Sequence, residues 1–327
     1  MTPMLQRARI IQVFMAALIG SCASALARGG ELRPVDGSYT VSQRYDAYKD
    51  QYPQLQVPVL HFQAGQRVLF DRLYKKLGER ELHVDVFLPA AARNTHRAIV
   101  LVHGGGWRSG NKSNFYAMAN LLAQRGIASF LPEYRLSPEA PYPASLLDIN
   151  DAIVWAKSQA GALGVDRNQI AIGGESTGGQ VAALLAYTAD RDLYKTHAGD
   201  DTRVSALVDL DGVLDLTAPL ALLYENAAGS TSPAALWLGG SMELAPDRWR
   251  EASAATYAGA HSPPTLVVTS GAPRFTAGLD KVQSALHEHG IRCEVAPFDG
   301  TPHAFWLFNP YLGQVVDKID VFLRTAK

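Results

Sequence analysis

The stretch Gln169-Ile170-Ala171-Ile172-Gly173-Gly174-Glu175-Ser176-Thr177-Gly178-Gly179 decides how this chain folds. It runs from a short apolar strand, through a turn crowded with small residues, into the start of a helix. Its middle reads G-x-S-x-G, and in that strand–turn–helix setting the glycines leave room for a strained turn that a neighbouring Cβ would block. Such a turn lifts the Ser176 hydroxyl above the end of a sheet and aims the Thr177 N–H at the same space. Gly-rich turns are common, so the flanking strand and helix carry the inference.

On both sides of this stretch, strands and helices alternate. Strand patterns fall at residues 68–73, 82–88, 98–102, 127–131, 169–172, 204–210, 266–269 and 293–296, and helical patterns at 115–124, 146–159, 179–189, 279–289 and 315–324. Ala98-Ile99-Val100-Leu101-Val102 is apolar throughout, as a strand covered on both faces requires. Residues 82–88 alternate instead, which places His83 and Asp85 together on one face, expected to meet solvent. Strands alternating with helices predict a mostly parallel, doubly wound sheet, with its site beyond the carboxyl ends of the strands.

The alternation lapses at about residues 216–260, a mixed stretch carrying Tyr224, Trp237, Trp249 and Tyr257. It reads as an insertion before the penultimate strand, forming a lid or a substrate wall. Residues 28–65 are polar and turn-rich, with Tyr39, Tyr45, Tyr48 and Tyr52, and read as an N-terminal arm packed on a catalytic domain of residues 66–327.

Residues 1–27 read as a signal peptide. Arg7 and Arg9 precede the apolar run 10–19, and Ala25-Leu26-Ala27 is a small-residue cleavage site. The run is shorter than the roughly 20 residues a spanning helix needs, so no transmembrane segment is expected in the mature protein. Export to the periplasm or medium follows, or lipidation at Cys22, since Ile19-Gly20-Ser21-Cys22 resembles a lipoprotein cleavage box. Cleavage after Ala27 leaves Cys293 alone, with no internal disulfide.

The 30 Lys and Arg residues balance 31 Asp and Glu, and hydrophobic residues make up 47% of the 327. That is enough apolar material for a continuous core. The balance gives no field for a phosphate backbone, and zinc-finger spacings and RNA-binding aromatic patterns are missing, so nucleic acid is not an expected partner.

Two further motifs carry chemistry. His103-Gly104-Gly105-Gly106-Trp107 directly follows the strand at 98–102, where backbone N–H groups of Gly105 or Gly106, with Thr177, would hold a developing oxyanion. No Gly-Lys-Ser/Thr follows and the G-x-G-x-x-G spacing is missing, which disfavours a phosphate loop. His303, in Asp299-Gly300-Thr301-Pro302-His303-Ala304-Phe305, follows the last strand, in position to take a proton from Ser176. His103 is expected to hold its own loop. No metal or organic cofactor is needed for such chemistry.

On these motifs, together with Tyr134-Arg135-Leu136-Ser137-Pro138-Glu139-Ala140-Pro141-Tyr142-Pro143-Ala144, residues 66–325 resemble the exported carbohydrate esterases of the α/β-hydrolase superfamily related to feruloyl and acetylxylan esterases. Pro273-Arg274-Phe275-Thr276-Ala277-Gly278 and Thr301-Pro302-His303-Ala304-Phe305-Trp306-Leu307-Phe308 look like a branch that includes pectin-directed esterases. The resemblance implies an α/β-hydrolase fold, a Ser–acid–His order along the chain, and a polysaccharide or oligosaccharide ester as substrate. The ester would be an acetyl group on a sugar or a methyl group on a uronate. A broad carboxylesterase or lipase for small acyl esters is the alternative; a weakly catalytic carbohydrate-binding protein is the alternative from another class.

The acid departs from the family pattern. Most members carry an Asp a few residues beyond the penultimate strand, where this chain has Ser270-Gly271-Ala272-Pro273-Arg274. Asp211, at the end of the preceding strand, is the favoured substitute; Asp280, on the following helix, a dyad without an acid, or a more distant carboxylate are the alternatives. Arg274 either binds a uronate or bridges to Asp280 or Glu175. Glu175 caps or pairs locally, or lies at the substrate. Trp107 and Trp306 are platforms for sugar or acyl groups, with core packing expected of at least one of them.

Overall fold

The computed structural model describes residues 37–326. The segment read as a signal peptide, Cys22, and the first part of the arm lie outside these residues. In chain order the elements are α1 (Val41–Tyr48), β1 (Arg67–Leu77), β2 (Arg80–Leu88), β3 (Arg97–Val102), α2 (Tyr116–Gln124), β4 (Ile127–Pro132), α3 (Ala144–Gln159), β5 (Ile170–Glu175) and α4 (Thr177–Thr188). There follow β6 (Leu207–Leu210), α5 (Pro219–Ala228), α6 (Pro233–Leu238), α7 (Pro246–Glu251), β7 (Thr265–Ser270), α8 (Leu279–Glu288), β8 (Cys293–Phe298) and α9 (Tyr311–Thr325).

The strands form an eight-stranded sheet in the order β1-β2-β4-β3-β5-β6-β7-β8. β2 pairs antiparallel with β1 and with β4, whereas all pairings from β4 through β3 to β8 are parallel. The unbroken apolar run of β3 has a direct cause. Val100 and Val102 enter one core cluster with Ile149, Ile153 and Leu185, while Ile99 and Leu101 enter the opposite one with Leu122, Val316 and Phe322. Both faces are covered by helices, so each β3 side chain from Ala98 to Val102 leaves water, an effect of roughly 1.5–3 kcal/mol for each large aliphatic group. α9 buries Leu312, Val315, Val316, Ile319, Phe322 and Leu323, the helical spacing its sequence shows.

The expected insertion lies between β6 and β7 as three short helices, α5, α6 and α7, each with proline in its first turn. Proline is favoured there because its missing N–H would have no intrahelical partner. α4 begins at Thr177 rather than at residue 179, so the helix starts immediately after Ser176. The strand expected at 204–210 is reduced to β6.

Asp85 corrects a solvent-facing expectation. It is fully buried, because the stretch carrying Lys112 and Tyr116 covers that face of β2. Asp85 accepts from Lys112 Nζ at 2.8 Å, Tyr116 Oη at 2.5 Å and the Asp71 N–H at 2.8 Å. Three donors offset the desolvation of its carboxylate. His83, its companion, stays half-exposed. No helix among the described residues is long and apolar enough to cross a membrane.

Candidate active site

Ser176 is held at φ 54° and ψ −122°, a left-handed backbone that costs a non-glycine residue of order 1–3 kcal/mol and must be enforced by its surroundings. The enforcement is visible: the Ser176 N–H donates to Leu210 O at 2.8 Å, tying the turn to the end of β6. A Cβ on Gly178 would lie 2.1 Å from Val102 O and 2.4 Å from His103 O. Only glycine lets α4 start this close to the end of β3.

The loop at residues 103–107 crosses the same point. His103 is buried, stacks on Tyr134 with ring centroids 4.4 Å apart, and places Nδ1 2.9 Å from Gly104 O. Burial pulls its imidazole down to about 4, so it is neutral at physiological pH and acts as a fixed strut for the loop. Gly105 and Gly106 sit at φ 122° and 65°, and a Cβ on Gly105 would strike Ser109 O at 2.3 Å. The Gly104 N–H donates to Glu175 Oε1 at 3.3 Å and the Trp107 N–H to Thr177 Oγ1 at 3.3 Å. Among the described residues the N–H groups of Gly105 and Gly106 make no such bond, and both residues border the cavity that holds Ser176 and Thr177.

That cavity, of about 370 Å³, also takes in His303. His303 Nδ1 lies 2.9 Å from Asp211 Oδ2, and Asp211 Oδ1 accepts the Ser270 N–H at 2.7 Å. Asp211 is fully buried and has a left-handed φ of 53°, a conformation Asp tolerates better than most residues. Phe275 stacks flat on the His303 ring, with centroids 3.8 Å apart and planes 8° from parallel. The imidazole is thus fixed by a carboxylate at one nitrogen and by an aromatic face.

Of the two substitute acids, the structure brings Asp211 to His303 and leaves Asp280 out. Asp280 sits in the first turn of α8 and is exposed, because α8 turns Val282 and Leu286 toward the core. Arg274 lines the cavity but bridges to neither expected partner: its Nη2 donates to Glu225 Oε1 on α5.

Glu175 and Trp306 are both buried and do not border the cavity, which corrects their placement at the substrate. The Glu175 side chain lies behind the loop at residues 103–107, where Oε2 accepts from Trp306 Nε1 at 2.5 Å and from Tyr39 Oη at 3.0 Å. Burial raises the Glu175 carboxyl above its usual range, against these hydrogen bonds. Trp107 borders the cavity, yet its ring is packed, stacked at 4.6 Å and 7° on Trp237 of α6. Its Nε1 donates to Gln180 Oε1 at 3.1 Å, and Gln180 Nε2 donates to Ala252 O at 2.7 Å. The insertion is therefore clamped onto the loop at residues 103–107.

Several bordering residues escaped the sequence reading: Ser38, Tyr39 and Arg44 from the arm, Glu225 and Pro233 from the insertion, and Phe275. Of these only Phe275 lies in a quoted stretch, residues 273–278, where Arg274 alone was singled out. The nearest signal was the tyrosine set of the arm, to which Tyr39 belongs.

A second carboxyl lies beside Asp211. Asp209 is fully buried; Oδ1 accepts the Gly212 N–H at 2.9 Å, and Oδ2 has no partner among the described residues. Burial first, and the Asp211 charge second, push the Asp209 carboxyl up to about 8. A carboxyl raised in the folded state binds its proton more tightly there than when unfolded. Its contribution is complete below about pH 4 and is lost as the pH rises toward 8. Urea midpoints of Asp209→Asn and wild type, compared at pH 5 and pH 8, should therefore diverge in favour of the variant at pH 8. The relative gain should be on the order of 1 kcal/mol or more; parallel pH curves would show that Asp209 does not titrate in this range.

Among the described residues no group of three or more His, Cys, Asp or Glu side chains converges as a metal site. Cys293 is a half-buried free thiol, pushed up to about 11 by burial, which disfavours a nucleophilic role.

The sheet order, the turn at Ser176 and the helical insertion define an α/β-hydrolase fold, shared with solved structures. A truncated carbohydrate esterase from gut microbiota superposes with a TM-score of 0.63 at 19% identity, covering 79% of this chain and 96% of that one. An esterase of Thermogutta terrifontis in its propionate-bound form gives 0.62 at 24% identity, covering 80% and 94%. A family model described as BD-FAE matches residues 84–274, and the chain belongs to that family. Esterase LipC of Mycobacterium tuberculosis (strain ATCC 25618 / H37Rv) is 36% identical over 120 residues, 36% of this chain and 30% of LipC. Matches of this kind span about a third of the length of the curated relatives.

Proposed function

We propose that the protein is a serine carboxylic ester hydrolase working through an acyl-enzyme. The observation that carries this reading is one cavity bordered by Ser176, His303, Gly105, Gly106 and Thr177, with His303 Nδ1 on the buried Asp211 carboxylate. Asp211 fixes the tautomer with the proton on Nδ1, leaving Nε2 free to take the Ser176 proton as Oγ attacks the ester carbonyl. The N–H groups of Gly105 or Gly106 and of Thr177 then stabilise the oxyanion of the tetrahedral intermediate. The imidazolium returns its proton to the departing alcohol, and water, deprotonated by the same nitrogen, releases the acid. Curated relatives named esterase and carboxylesterase support the reaction class.

The substrate is an acetyl or methyl ester on a plant cell-wall polysaccharide, met outside the cytoplasm. The likeness to a carbohydrate esterase supports this, as does the export signal read at residues 1–27. Acetate release from acetylated xylan and methanol release from pectin, each compared with the Ser176→Ala variant, test the proposal. Turnover of short p-nitrophenyl esters with neither product released would place the chain among broad carboxylesterases instead. Oligosaccharide binding with Ser176 unlabelled by a fluorophosphonate would remove the mechanism.

A further inference from the structure

The cavity wall carries three arginines, Arg44, Arg108 and Arg274, and one carboxylate, Glu225. Glu225 is committed to Arg274. Glu175, behind the wall, is committed to Tyr39, Trp306 and the Gly104 N–H. Arg44 has a different environment. Among the described residues it meets no carboxylate; its guanidinium lies 5.5 Å from the Tyr39 ring centroid and 6.0 Å from that of Tyr48. Its Nη2 makes a long hydrogen bond to Ser38 O at 3.4 Å, the Tyr48 side chain takes a second one, and its Nε is buried without a partner among the described residues. A guanidinium offers five donors in a rigid fork and keeps its charge at any physiological pH.

The segment that carries Arg44 is tied to the strand that leads into Ser176. Tyr39, one of its two aromatic supports, is hydrogen-bonded to Glu175, the residue before Ser176. Beyond α1, the arm is pinned again where Gln56 and Asn309 exchange backbone hydrogen bonds of 3.0 and 2.9 Å, six residues past His303. The arm is therefore a wall of the site, carrying a cation that no carboxylate neutralises among the described residues and whose Nε has no partner there.

We propose that Arg44 is a specificity residue that pairs with a carboxylate carried by the ester substrate. The inference rests on the ester-hydrolase reading and adds to it the charge of the substrate. A fixed fork beside aromatic faces matches a planar carboxylate with two parallel hydrogen bonds, and the partly enclosed cavity weakens screening by salt. The carboxylate belongs either to the acyl group or to the alcohol, as in a uronate.

Two matched pairs of substrates separate these sources. On the acyl side the pair is the p-nitrophenyl monoester of succinate and p-nitrophenyl 4-methylpentanoate; on the alcohol side it is an acetylated methyl hexuronoside and the corresponding acetylated methyl hexoside. In wild type, kcat/KM should favour the carboxylate member of one pair, and that pair identifies the source. In Arg44→Gln the ratio between the two members should fall at least about tenfold, mainly through KM, the loss expected for one charge-assisted contact. Arg44→Lys should keep part of the preference, because charge survives without the fork. Unchanged ratios in Arg44→Gln, or wild-type discrimination against both carboxylate substrates, would overturn the proposal. If wild type hydrolyses none of the four esters, the ester-hydrolase reading fails first, and the role of Arg44 falls with it.

Discussion

Asp211→Asn should lower kcat roughly 10⁴-fold, as expected when a triad acid can no longer hold its histidine in the working tautomer. The reason lies in the two bonds of this side chain. Oδ1 accepts the Ser270 N–H and Oδ2 faces His303 Nδ1, so the site requires two acceptors. An asparagine has one. If its oxygen keeps the Ser270 N–H, its NH₂ faces Nδ1 and selects the tautomer protonated at Nε2, which cannot take the Ser176 proton. If the amide flips, a buried donor faces the Ser270 N–H with no acceptor between them, at a cost of about 1–3 kcal/mol. Asp280→Asn, at an exposed position on α8, should leave kcat within about twofold. Steady-state kinetics on a p-nitrophenyl ester distinguishes them, and a large loss in Asp280→Asn with none in Asp211→Asn would transfer the role.

The largest loss is expected for Ser176→Ala, on the order of 10⁶-fold in kcat, the scale seen when a serine nucleophile is removed and only the oxyanion donors and binding remain. Alanine occupies the same left-handed backbone at similar cost, so thermal unfolding should move little and the loss can be assigned to chemistry. His303→Ala should fall by a comparable factor, because the serine is activated only through the imidazole. The double variant should be no slower than either single one, since the two groups act as a unit. Additive losses would mean that Ser176 and His303 act in separate steps. A fluorophosphonate should label wild type and leave Ser176→Ala unlabelled.

The parts of the site that could be read from the chain are those made by neighbours in sequence. The turn at Ser176 and the loop at residues 103–107 announce themselves because glycine is forced wherever a Cβ would run into neighbouring backbone, as one on Gly178 would against Val102 O and His103 O. The sheet was legible because strand and helix periods are local, and β3 shows both faces covered in a run of five residues. Asp85 was misplaced for the same reason. Alternation shows that a residue shares a face with its i+2 neighbour, but not what later covers that face, and here Lys112 and Tyr116 arrive from a distant stretch.

By itself, then, the amino-acid sequence determined the α/β order, from local periods along the whole chain, and the strand–turn–helix at Ser176, the glycine loop at residues 103–107 and the histidine after the last strand, each of these three written in fewer than a dozen consecutive residues. Tertiary structure alone decided which carboxylate meets His303, 92 residues away. It also decided that Glu175 and Trp306 stand behind the site, that Arg274 is paired with Glu225, and that the arm brings Tyr39 and Arg44 to the cavity. Those pairings depend on which loops the sheet order gathers at the carboxyl ends of the strands. A hydrogen bond between residues so far apart leaves no period, spacing or turn residue by which the sequence could announce it.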